Sequence, residues 1–244
     1  SSQILHLHLF IRIFKNVLMK KTFSKSHFLF LDLIRYLAAS IVALTHYEIY
    51  FLDYYRFEFL TILAVEIFFV LSGFVLAKQI IYVVNEKKFF NFKIFLVRRW
   101  IRTVPPYLIA LACSSIILGH GDLKNLILHV FYLQNFISDT PSYSFFSVGW
   151  SLSVEEWFYI FFPIYLFFMC KISLLKEDIL KCTLILLLLY SLLRLIFEFD
   201  FAWGENVRRS VLFRLDSIAY GFIAYLIKDQ IGKKLMFLFA FLGL

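Results

Sequence analysis

Eight ionisable side chains in this sequence combine reactive chemistry with an apolar setting that makes them costly to keep. Arg35 and His46 lie in "LDLIRYLAASIVALTHYEIYF" and Glu66 in "AVEIFFVLSGF". Arg98, Arg99 and Arg102 lie in "VRRWIRTVPPY", and Glu155 and Glu156 in "VGWSLSVEEWFYIFFP". Ionisable groups kept in apolar runs mark substrate, ion or proton sites by default. Together these offer anion binding through guanidinium groups and proton handling through imidazole and carboxylate.

Each also has a plainer reading. Arg35 and His46 are eleven residues apart, so on a helix they share nearly one face, ~16 Å apart along the axis. Arg35 can simply snorkel to an interface or pair with Asp32 at i,i+3, and His46 can bond a neighbour. Arg98 and Arg99 stand at i,i+4 and i,i+3 from Arg102, which gathers three guanidinium groups along one side of a helix. Arginine grips phosphate in a bidentate fork, so this cluster suits an anionic nucleotide; it also fits ordinary arginines at a membrane's inner face. Ser72 and Gly73 are explained by close helix packing, but Glu66 is not. Adjacent residues on a helix point ~100° apart, so only one of Glu155 and Glu156 can point squarely into a shared cavity. Glu155 shares a stripe with Ser151 and Tyr159, Glu156 with Leu152 and Ile160, and Glu155 is expected to be the inward one.

The elements that must hold these groups follow from composition. The 244 residues are 61% hydrophobic, 20% aromatic and 17% charged, with a mean hydropathy of +0.80. Soluble domains carry about a quarter charged residues, and continuous runs such as "CTLILLLLYSLL" (182–193) exceed what one water-soluble core could hide. The runs are unbroken rather than alternating, which excludes a transmembrane barrel and predicts an all-α, polytopic transmembrane helical bundle. Length and breaks in hydropathy place spans at roughly 28–50, 60–84, 103–119, 148–169, 182–199 and 211–227, with a seventh beginning near 235. The stretch "LKNLILHVFYLQNF" (123–136) is too short and too polar for a crossing and reads as an interfacial or re-entrant helix.

Lysine and arginine fix the expected orientation. With a cytoplasmic N-terminus, the inner segments hold Arg12, Lys15, Lys20, Lys21 and Lys25, then Lys87, Lys88, Lys93, Arg98, Arg99 and Arg102. Lys171, Lys176, Lys181, Lys228, Lys233 and Lys234 follow, which puts seventeen of the 25 cations inside. Outer segments hold only Arg56, Lys124, Arg208 and Arg209, and Arg35, Lys78, Arg194 and Arg214 lie within spans. That is the positive-inside pattern. It accounts for the formal charge of +8, so no nucleic-acid partner is needed. His46, Glu66 and both glutamates of 155–156 then fall at similar depth near the outer side.

Residues 1–27 read as a basic cytoplasmic leader, with 1–18 preceding a natural-looking start at Met19. Residues 28–244 read as one membrane domain that stops about ten residues into its last span, as a fragment would. Cys113, Cys170 and Cys182 lack metal-ligand spacing and read as packing residues, the inner location of the last two arguing against a disulfide. No Gly-rich phosphate loop, nucleophile elbow or internal repeat is present.

Five segments in order resemble one family. The pair Arg35/His46, with ten residues between, "EIFFVLSGF", "RRWIRTVPPY", "WSLSVEEWFY" and "FRLDSIAYG" (213–221) are similar to successive signatures of the acyltransferase-3 family, multi-span membrane O-acyltransferases that modify cell-surface glycans. The resemblance covers roughly residues 29–227. Leu33 and Tyr36 depart from it, standing where members often have glycine. The family's domain usually has about ten spans, of which about seven would be present here.

What the resemblance implies is transfer of an acyl group, usually acetyl, from a cytosolic acyl-CoA to a hydroxyl of an extracytoplasmic glycan or glycolipid, without a metal. Arg99 and Arg102, with Arg98, would hold CoA phosphates. His46 would take the acceptor hydroxyl's proton, since imidazole titrates near neutrality. Glu155 would orient or stabilise that imidazole, Arg35 would guide the acyl donor, and Glu66 would complete the catalytic set. The protein would lie in a bacterial inner or plasma membrane, its partners being the bilayer, acyl-CoA and the glycan. A proton-coupled or glycan/lipid transporter also uses intramembrane His, Glu and Arg, although the Gly- or Pro-broken repeats of such proteins are missing. An inactive, truncated acyltransferase is a third reading.

Overall fold

The computed structural model describes residues 29–52, 58–118, 122–136, 146–171, 178–197 and 208–229. They form seven α-helices and no strand: α1 (Leu29–Leu52), α2 (Glu58–Glu86), α3 (Phe89–Leu118), α4 (Leu123–Val130), α5 (Trp150–Met169), α6 (Ile179–Phe197) and α7 (Val211–Ile227). The all-α bundle expected from unbroken apolar runs is the observed architecture. Four helices, α2, α3, α5 and α6, are long and apolar enough to cross a membrane.

Small residues set the centre of the bundle. In lipid, helices associate through close packing rather than through apolar burial. Gly73 of α2 and Gly221 of α7 lie at the crossing of those two helices. A Cβ on Gly73 would strike the Ile218 carbonyl, and one on Gly221 the Val70 carbonyl. With both Cβ atoms missing the two backbones meet, and α7 becomes the inner helix, burying Phe213, Leu215, Ile218, Ala219 and Phe222. Phe162 of α5 packs edge-on against Phe222 at 4.9 Å and stacks on Phe158 at 4.6 Å, which closes α5 onto the same core. The α1 helix contributes a narrow seam, Ala38 and Thr45 seven residues apart, and leaves Tyr36 and Leu44 on its outer side.

Two boundaries differ from the hydropathy reading. The third span, expected at 103–119, is the second half of one continuous helix beginning at Phe89. Lys87, at φ 53°, ends α2 in a left-handed turn, and α3 starts two residues later. Arg98, Arg99 and Arg102 therefore sit inside a long helix instead of ahead of one. Hydropathy cannot see this, because the charged first half of α3 is averaged into a loop. The 123–136 stretch is α4 followed by an irregular segment, 131–136, in which Gln134 and Asn135 are buried. The segment expected near 235 and the leader 1–27 lie outside the described residues.

Candidate active site

Glu155 sits where α2, α3 and α5 meet. Its Oε1 accepts a hydrogen bond from Ser72 Oγ at 2.7 Å, and its Oε2 one from the Tyr159 hydroxyl at 2.8 Å. Ser72 is the middle residue of α2, so this carboxylate lies at mid-length of the bundle. The Tyr159 ring faces the Arg99 guanidinium at 5.7 Å. Arg99 has Tyr159, Arg102, Glu155 and Arg35 as its electrostatic neighbours. Arg35 also pairs with Asp32 at 3.7 Å, one turn earlier on α1. Arg99 thus has an arginine of another helix, Arg35, and the half-buried Glu155 carboxylate both within electrostatic reach.

Glu156 points to a different helix. Its Oε1 accepts from Thr103 Oγ1 of α3 at 2.7 Å, and the residue is 2% exposed. Both glutamates therefore face the interior, each claimed by its own helix, where one inward carboxylate was expected. The ~100° between neighbours separates two interior helices here rather than interior from lipid.

The segment after α4 holds the start of α5 in place. Gln134 Nε2 donates to Ser153 Oγ at 2.6 Å, and Asn135 Nδ2 donates to the Trp150 carbonyl at 3.1 Å. The Trp157 indole donates to the Tyr132 carbonyl at 2.9 Å. The backbone N–H groups of Val211 and Leu212, at the start of α7, donate to the carbonyls of Asn135 and Phe136. Irregular backbone within a bundle must be satisfied by protein, and here it is. His129 is likewise buried, its Nδ1 within 2.8 Å of the Asn125 carbonyl. Burial lowers its pKa from the ordinary 6.5, against the pull of that carbonyl.

Glu66 belongs to a second cluster. Arg214 of α7 donates to its Oε1, and Arg194 of α6 pairs with Asp216 of α7. Glu66 stands six residues before Ser72, about 9 Å along α2, so Glu66 and Glu155 occupy different levels. His46 makes its ring contact, Nδ1 at 2.8 Å, with the Val42 carbonyl of its own helix. Among the described residues Glu155 bonds Ser72 and Tyr159 and does not bond His46.

The acyltransferase-3 family model, described as an acyltransferase domain, matches residues 28–244. The chain belongs to the acyltransferase-3 family. Two Staphylococcus aureus proteins (strains COL and MSSA476) named "Putative O-acetyltransferase" are 28% identical to it over 119 residues, 43% of this chain and 20% of theirs. Peptidoglycan O-acetyltransferase OatA of Listeria monocytogenes is 32% identical over 126 residues, 45% of this chain and 20% of that protein. The matched part thus spans about a fifth of these relatives. No solved structure matches significantly.

In this acyltransferase-3 family member the residues selected from the sequence do not form one group. Arg35, Arg102 and Glu155 lie within electrostatic reach of Arg99. Glu66 is drawn off into the ionic cluster, and His46 lies along α1 from Arg35. Arg98 is half-buried on α3. Among the described residues no group of His, Cys, Asp and Glu could hold a metal. Sequence reasoning gave no role to Thr103, Tyr132, Arg214 or Asp216. The last two carried the same signal as Glu66, charge within a span. The first two carried none, because threonine and tyrosine are ordinary in membrane helices.

Proposed function

We propose that this acyltransferase moves an acyl group, acetyl in the simplest case, from a cytosolic acyl-CoA to a hydroxyl of an extracytoplasmic glycan or glycolipid. The observation that supports this most is the grouping of Arg35, Arg102 and Glu155 around Arg99. Three guanidinium groups to one carboxylate around Arg99 leave net positive charge there, suited to an anionic donor reaching in from the side of the arginine-bearing half of α3. Arg102, one turn from Arg99 on the exposed face of α3, extends that charge toward the CoA phosphates, with Arg98 beside it.

The chemistry is a balanced acyl transfer. The acceptor oxygen attacks the thioester carbonyl, a C–O bond forms and the C–S bond breaks. The acceptor's proton goes to the His46 imidazole, and the thiolate of CoA leaves and is protonated. In this reading Glu155 positions Arg99 through Tyr159 rather than orienting His46, since its hydrogen bonds go to Ser72 and Tyr159. Glu66, paired with Arg214, holds α2 to α7. A cell-wall glycan is a reasonable acceptor class, because one relative's name specifies peptidoglycan. A cytoplasmic N-terminus and a bacterial plasma membrane complete the reading. With a cytosolic α2–α3 turn, cysteine placed at Asn85 in a cysteine-free background must be silent to an impermeant reagent on intact cells.

Titration of acetyl-CoA into detergent-purified full-length protein, beside an acetyl-transfer assay, tests the scheme. His46→Ala should cut transfer by ~10²–10⁴-fold, the usual cost of losing a general base, and leave donor affinity nearly unchanged. Arg102→Ala should weaken donor affinity about tenfold to a hundredfold, the worth of one charge-assisted bond to phosphate. Loss of donor binding in His46→Ala with binding kept in Arg102→Ala would overturn the inside-to-outside scheme. Substrate movement without acyl transfer would favour a transporter.

A further inference from the structure

Tyr132 is an anomaly in three respects. It is a non-glycine residue at φ 58°, a left-handed backbone that costs ~1–3 kcal/mol and persists only where the surroundings impose it. Its side chain is 8% exposed, yet its hydroxyl makes no hydrogen bond among the described residues. Its electrostatic neighbour is Glu156, whose Oε2 is also buried and makes no well-aligned hydrogen bond among them, the Trp100 side chain being the donor nearest to that carboxylate besides Thr103. Buried polar groups are paired in the great majority of cases, and each exception needs a reason.

Packing explains how the two groups come to face one region. The Tyr132 ring lies on the Tyr107 ring, centroids 4.6 Å apart, and Tyr107 stands one turn beyond Thr103 on the same face of α3. Glu156 is held to that face by Thr103, with its neighbour Trp157 bonding the Tyr132 carbonyl. The phenol is therefore wedged between the Thr103/Tyr107 face of α3 and the Leu152/Glu156 face of α5. An unused O–H donor and a carboxylate with acceptor sites to spare complement one chemical group, a hydroxyl, which both gives and accepts a hydrogen bond.

We propose that Tyr132 and Glu156 form a subsite for one hydroxyl group of the acceptor, Tyr132 donating to it and Glu156 accepting from it. The subsite rests on the acyltransferase reading and assigns Glu156 a task separate from that of Glu155. Its role is recognition: a site built to hydrogen-bond a hydroxyl discriminates strongly against an acceptor lacking it, because its own buried groups are then left unpaired. The chemistry is the same whether the hydroxyl belongs to a sugar or is water, and the experiment separates the two.

The full-length protein in detergent is titrated with an N-acetylglucosamine oligomer, without acetyl-CoA and then under turnover. Acetyl-CoA hydrolysis in the absence of saccharide is followed in parallel. Tyr132→Phe should weaken saccharide affinity and raise its KM up to about tenfold, the range for one neutral hydrogen bond. Glu156→Gln should do so by about tenfold to a hundredfold, as expected for a charged one. Acetyl-CoA affinity and background hydrolysis should stay within twofold. Unchanged saccharide affinity in both variants, or hydrolysis falling with saccharide affinity intact as a water site would require, overturns the proposal. So does a wild-type protein that binds no saccharide. Wild-type binding without transfer would sink the acyltransferase reading while the variants still decide the subsite. The thermal midpoint of each variant identifies one that fails to fold, and the other then carries the test.

Discussion

Gly73 and Gly221 face each other's helices so closely that neither position has room for a Cβ: each would meet a main-chain carbonyl oxygen of the other helix. Main chain cannot swing aside as a long side chain can. Gly221→Ala should therefore push α7 from α2 and lower stability by about 1–3 kcal/mol or more, the usual cost of overpacking. Thermal unfolding of the purified protein, followed by size-exclusion chromatography, reads this out. An unchanged midpoint for both Gly73→Ala and Gly221→Ala would show that the helices do not meet there.

Glu66 and Arg214 are each more than nine-tenths buried and pair directly across the same two helices. Removing one partner strands a charge in a low-dielectric interior, at a cost of about 3–5 kcal/mol, whereas removing both strands none. Glu66→Met and Arg214→Met should each unfold at clearly lower temperature than wild type, with the double variant recovering much of the loss. A double variant as damaged as the sum of the singles would mean that the pair is not the relevant contact.

These two cases show what the sequence makes legible and what it does not. Gly73 was readable as a packing residue and Glu66 as a charge needing a reason, since both are local exceptions to an apolar helix. Gly221 and Arg214 carry the matching half of each contact, and nothing local links partners 148 residues apart. The same limit explains the glutamates. Helical geometry says that Glu155 and Glu156 diverge, but whether the second faces lipid or another helix depends on α3, whose first half is too charged for hydropathy to include. The segment 131–136, which ties down the start of α5 through Gln134 and Asn135, offered the sequence reader only those two polar residues.

Cys170 and Cys182 bracket the α5–α6 connection with their sulfur atoms 3.7 Å apart and no disulfide between them. Spacing in the sequence suggested packing residues, and they do pack, against each other. A thiol-specific oxidant such as diamide, itself reduced by the two electrons and two protons released, should join them. Of the three thiols, only Cys113 should then react with a maleimide under denaturing conditions, with reductant restoring the other two. Continued labelling of all three by mass spectrometry would rule out the contact.

His129 makes the bundle sensitive to acid. Burial lowers the pKa of its imidazole in the folded protein below the ordinary 6.5, so the unfolded chain binds a proton more readily than the folded one. Above pH 6.5 both states are neutral and the group contributes no pH dependence. As pH falls below that value the unfolded state gains the proton first, and stability declines by at most about 1.4 kcal/mol per pH unit until the folded imidazole also titrates. His129→Gln, which keeps a polar group near the Asn125 carbonyl, should flatten the fall in unfolding midpoint between pH 7 and 5 relative to wild type. The consequence reaches the site, since His129 also accepts at its carbonyl the hydrogen bond from Tyr107 at 3.0 Å, and Tyr107 carries the ring of Tyr132. Acid loosening should therefore weaken saccharide affinity before global unfolding. A variant that loses stability with acid as steeply as wild type would move the origin of that sensitivity elsewhere in the bundle.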